Sequence, residues 1–184
     1  LLIMFVAPVL GAYADAHAAK KKLLAITTAG CVTFTALLYF AGPGSLWLAI
    51  PLIILSNFFY GSGENLIAAF LPELAREESL GRISGWGWSL GYTGGLLSLG
   101  ACLAYVSCAQ GQGQHAADFV PVTMLIVALL FALASLPTFL ILRERAVPQP
   151  HLQGMNSLQE SFARLAQTLR HAKDYRDLRR FLLC

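Results

Sequence analysis

The chain has 184 residues, 57% hydrophobic and only 12% charged, with a formal net charge of +3 at pH 7 and a mean hydropathy of +0.62. Soluble domains carry roughly a quarter charged residues, and a chain this short has too little interior to hide so much apolar surface. An ordinary soluble enzyme is therefore excluded, and the runs to look for are those of about 20 apolar residues that cross a bilayer as helices.

The opening segment "LLIMFVAPVLGAYADA" has neither a starting methionine nor a basic n-region. It reads as the second half of a span reaching about Ala14 rather than as a signal peptide. Full spans follow at Leu23–Phe40, at Leu46–Phe70 ending at Pro72, at Ile83–Cys108 and at Phe119–Leu142, with "AGPGS" as a tight turn. Helices are the expected form, because backbone polar groups in lipid must be satisfied within the segment. The expected fold class is all-α and integral to the membrane. The chain is expected to be an internal fragment of a larger protein, with 1–142 as a half-bundle, 143–178 as a connector and 179–184 as the start of a further span.

The loops alternate in charge. Lys20, Lys21 and Lys22 lie in one, Arg76 and Arg82 in another, and the rest of the 13 basic residues follow Leu142. "AGPGS" and "AQGQGQHAAD" carry no Lys or Arg. With the spans drawn as above, every basic residue falls on one side, which the positive-inside rule makes cytoplasmic.

Gly87, Gly91 and Gly95 are spaced by four and share one helical face. Such small-residue stripes let helix backbones pack closely in lipid. A phosphate loop would need a preceding strand and a terminal lysine, which are missing, while Trp86 and Trp88 suit an interfacial aromatic belt. Cys31, Cys102, Cys108 and Cys184 form no C-x-x-C pair and no His stands at ligand spacing, so no metal or cofactor is expected. No His, Cys or acid cluster converges within the spans, so an enzyme is not expected either.

Glu64, in "SNFFYGSGENLIAAF", is the clear ionisable residue at membrane depth, roughly 9–12 Å from the helix end at 1.5 Å per residue. Acids there are costly when charged, and two fates are usual. One is a cavity-facing carboxylate that binds a substrate amine or carries a proton, and the other is a hydrogen bond to a neighbouring helix. Asn57 lies two turns away on roughly the same face, with Gly61 between them. Asn57, Asn65 and Tyr60 complete the candidate substrate and coupling group, although the two asparagines also suit interhelical bonding, and Tyr60 and Tyr92 also suit packing.

Beyond Leu142, "RERAVPQPHLQGMN" is a polar linker. "SLQESFARLAQTLRHA" is an amphipathic helix with a capping-box pattern at Ser157 and Glu160 and an apolar face of Leu158, Phe162, Leu165 and Leu169. It suits either the membrane surface or the underside of the bundle. Its modest, mixed charge argues against nucleic acid.

The loop "GAYADAHAAKKK" resembles the motif G-x-x-x-D-R-x-G-R-R/K between the second and third helices of the major facilitator superfamily. Gly11, Asp15 and Lys20 match, while Ala16, Ala18 and Ala19 stand at the arginine, second-glycine and first terminal basic positions. The resemblance implies that Gly11, Asp15 and Lys20 form a gating loop between transporter halves. "FLPELAREESLGRISGWGWSLGYTGGLLSL" is more specifically similar to the autophagy-related vacuolar amino-acid effluxer branch. The carriers are Leu71-Pro72-Glu73, Glu77-Glu78, Gly81-Arg82, Ser84-Gly85, Gly87-Trp88, Leu90-Gly91-Tyr92 and Gly94-Gly95. Ile67-Ala68 stands where that branch commonly has Tyr-Asn. The resemblance implies half of a twelve-helix bundle, from part of helix 2 to the start of helix 7. It further implies a secondary transporter exporting amino acids or similar solutes, working with its C-terminal half, in a bacterial inner or vacuolar-type membrane; Glu64 makes a proton the candidate coupling ion. The alternatives are a non-transporting membrane scaffold or subunit, and a lipid transporter of the same fold.

Overall fold

A computed structural model describes residues 2–42, 44–74 and 77–142. The chain divides into two compact units, one made of Leu1–Lys20 and Glu144–Cys184, the other of Lys21–Arg143. The expected connector and its amphipathic helix lie outside the described residues.

In the first unit, α1 spans Leu2–His17. Its end has a defined cap. Ala19 N–H donates to Ala14 O at 3.0 Å, and Ala18 takes φ +47°. This six-to-one bond over a left-handed residue is a Schellman cap, a position where glycine is favoured because a Cβ crowds the backbone. The superfamily motif has glycine at this position and this chain has alanine.

The second unit contains α2 (Lys20–Leu37, from its second residue), a 3-10 turn (Leu38–Phe40), α3 (Leu46–Leu74), α4 (Leu80–Gly111) and α5 (Ala116–Ile141). A second 3-10 turn, Glu77–Ser79, links α3 to α4. All regular structure among the described residues is helical. Four of these helical segments are long and apolar enough to cross a membrane. The helices overrun the apolar stretches that announced them, because polar residues at a span's ends can continue the helix outside the hydrocarbon. Thus α1 reaches His17, α4 starts at Leu80, and α3 continues past Pro72 to Leu74. A proline so near a helix end removes only one late hydrogen bond.

Contacts set the packing. Thr35 Oγ1 and Ser56 Oγ share a hydrogen bond of 2.7 Å, and Cys31 Sγ lies 3.9 Å from the same hydroxyl. A Cβ on Gly30 would stand 2.7 Å from Phe59, and one on Gly63 would stand 3.3 Å from Thr27. Residue numbers rise on α2 as they fall on α3, so the two helices run antiparallel. Phe34 stacks on Phe59 with centroids 5.5 Å apart, and Tyr60 meets Phe131 of α5 at 6.2 Å.

Lys21 Nζ donates to Leu142 O at 2.7 Å. A cation thereby meets the last carbonyls of α5, where the helix dipole favours it. The 3-10 turn that prolongs α2 packs on α5. At the other end of the bundle, Ser45 N–H donates to Gly42 O at 3.0 Å and Gly44 has φ +86°, the left-handed third position of a type II turn. Asp118 Oδ2 accepts the His115 N–H at 3.1 Å, half of a reciprocal box that starts α5.

Candidate functional site: the groove between α3 and α4

A groove of about 720 Å³ runs between α3 and α4. Tyr60 and Glu64 line it from α3, and Gly87, Gly91 and Gly95 line it from α4, joined by Trp88 and Tyr92. Because α3 runs to Leu74, Glu64 lies about 15 Å from that helix end, at 1.5 Å per residue. Measured from Leu71, where the apolar span ends, Glu64 lies about 10 Å in, at 1.5 Å per residue. Glu64 also borders a smaller cavity of about 200 Å³, where Thr27, Cys31 and Gly63 bring α2 against α3.

The glycine stripe forms a wall without side chains. A Cβ built on Gly87, Gly91 or Gly95 would meet nothing within 4 Å. Trp88 and Tyr92 stand beside the stripe, ring centroids 5.9 Å apart and tilted by 34°. Apolar residues such as Ile67, Leu71 and Leu96 fill the rest of the lining. In size the groove falls within the usual range for small-molecule sites, and in chemistry it is an apolar surface with few polar groups.

Not every candidate gathers here. Asn57 and Asn65 do not line the groove. Their amides donate to carbonyls of their own helix, Asn57 to Ile53 O at 2.9 Å and Asn65 to Gly61 O at 2.7 Å. Gly11 and Asp15 lie within α1 and Lys20 opens α2. The close α2–α3 seam at Gly30 and Gly63 went unnoticed in the sequence reading. Its signal was available, since Thr27, Cys31 and Thr35 are small residues spaced by four on one face. Among the described residues no group of His, Cys, Asp or Glu could hold a metal ion.

Several helices long and apolar enough to cross a bilayer define a multi-pass integral membrane protein, with Glu64 and an apolar groove within them. Comparison with known families specifies it further: the model described as "Vacuole effluxer Atg22 like" matches residues 1–82 and 76–184. The chain belongs to this family. It is also similar to a protein of Bacillus subtilis (strain 168) described as "Uncharacterized MFS-type transporter YxiO", with 28% identity over 193 residues, covering 99% of this chain and 42% of that relative. The chain therefore spans about two fifths of that relative's length. No solved structure gives a significant match.

Proposed function

We propose that this chain is part of a secondary transporter that moves a small solute across a membrane by alternating access, rocking against a C-terminal half. The observation that carries the reading is Glu64, a carboxylate about 15 Å from the end of α3 that borders a groove large enough for a small solute. Membership of the effluxer family and the likeness to an MFS-type transporter support it. Amino acids are the candidate cargo that the family's name suggests, with export as the direction. An ion or solute gradient is the proposed driving force, with Glu64 as the candidate proton carrier. Gly11, Asp15 and Lys20 are the candidate gating group, at the ends of two helices that a rocking motion would displace. The basic loops lie on the cytoplasmic side.

The test is counterflow of a labelled amino-acid mixture in proteoliposomes carrying the full-length protein. The expected result is accumulation that one unlabelled amino acid competes away, and that Glu64→Gln reduces at least about tenfold. Absence of exchange with folded protein in the vesicles would refute amino acids as the cargo and favour another solute, a lipid or a non-transporting scaffold. Unchanged exchange and pH dependence in Glu64→Gln would remove that residue from the mechanism.

A further inference from the structure

The groove offers one half of the chemistry that an amino acid requires. Among the described residues, Glu64 is the one charged residue lining it, and no Lys, Arg or His does so. The Glu64 side chain has no hydrogen-bond or ion-pair partner among the described residues. Counting from the turn between the helices, Gly91 lies about 16 Å along α4, close to the level of Glu64 on α3. At Gly87, Gly91 and Gly95 the α4 side of the groove carries no side chain, and a Cβ there would meet nothing within 4 Å. Aromatic faces of Trp88 and Tyr92 lie on the same wall, and an ammonium near such faces gains cation–π attraction. A carboxylate brought beside Glu64 would meet a like charge and, among the described lining residues, no cation.

We infer that the α3–α4 groove reads a solute through its ammonium group and apolar body alone, so that apolar amines without a carboxylate occupy it at least as well as the corresponding amino acids. The inference rests on the reading of this groove as the solute site, and it names the chemical class that this part of the protein recognises. Glu64 holds the ammonium, the glycine wall gives room for it, and the aromatic and aliphatic lining takes the body. No described residue lining the groove would bind a solute's carboxylate.

The test uses purified full-length protein in lipid nanodiscs and three probes with a common phenyl body: 2-phenylethylamine, 2-phenylethanol and 3-phenylpropionate. Calorimetry is expected to give measurable binding of the amine, at least about tenfold weaker binding of the alcohol, and none of the acid. Glu64→Gln should bring the amine down to the alcohol's affinity and leave the alcohol unchanged. Gly91→Leu should weaken both by filling the wall, a steric readout that does not depend on charge. Equal affinity for amine and alcohol, binding of the acid, or amine binding that survives both substitutions would overturn the inference. Amine binding in a protein that exchanges nothing would uphold it and refute transport. Exchange of a solute that the amine does not compete would uphold transport and refute the inference.

Discussion

The contact between Gly30 and Phe59 makes the packing of α2 on α3 measurable. In Gly30→Ala the new Cβ would lie 2.7 Å from Cδ1 and Cγ of Phe59 and 2.9 Å from Cε1. Comfortable carbon contacts begin near 3.5 Å, so the ring must retreat by roughly 0.8 Å. It has little freedom to do so, because it stacks on Phe34 and meets Phe58 edge-on at 5.7 Å. Overpacking of this kind costs about 1–3 kcal/mol. In water the substitution would recover up to about 1 kcal/mol of helix propensity. In lipid the separated helices stay helical, so that compensation is small. We expect Gly30→Ala to lower the unfolding free energy by about 1–3 kcal/mol, measured by detergent-titrated unfolding of the full-length protein. Gly100→Ala on α4, where a Cβ meets nothing within 4 Å, should change it by less than about 0.5 kcal/mol. Phe59→Leu in the same background should recover part of the Gly30→Ala loss, a coupling that a double-mutant cycle reads directly. Equal effects at Gly30 and Gly100, or strict additivity of Gly30→Ala with Phe59→Leu, would refute the reasoning.

Other expectations follow from single contacts. Ala18→Gly should raise stability by about 0.5–1 kcal/mol in the same assay, because relief of the left-handed strain exceeds the added freedom of the unfolded chain. A lower stability would mean that the α1 cap does not hold Ala18 in that conformation. Ser56→Ala removes the partner of Thr35 and should cost about 0.6 kcal/mol, with about 1.7 kcal/mol as the ceiling for such bonds in membranes. A loss well above that ceiling would show that the hydroxyl does more than join two helices. Reporter fusions at Gln112, in the loop between α4 and α5, should report the side opposite the basic loops. A cytoplasmic signal there would overturn the orientation.

The spans were legible in the sequence for a simple reason. Each is a predominantly apolar run of about the length a bilayer needs, and the lysines and arginines punctuate alternate loops. The turn at Gly42–Ser45 was equally plain, since the order Gly-Pro-Gly-Ser suits a type II turn and little else. The local sequence also singled out Glu64, because a carboxylate inside an apolar run stands out without any knowledge of its neighbours.

Which helix meets which, and through which residues, was decided only in three dimensions. Small residues at a spacing of four occur on both α2 and α4, and the pattern alone does not say which stripe will be covered. On α2, Gly30 meets a phenylalanine ring, whereas Gly87, Gly91 and Gly95 on α4 border open space beside Glu64. Asn65, next to Glu64 in the chain, and Asn57, two turns before it, turn back to their own helix, while Trp88 and Tyr92, distant in sequence, share its groove. Periodicity fixes which residues share a helical face, but the neighbour of that face is set by crossings between helices. The sequence by itself therefore determined that this is a multi-span membrane protein with a carboxylate at depth. The tertiary arrangement decided that the carboxylate borders both the open α3–α4 groove and the smaller cavity at the α2–α3 seam.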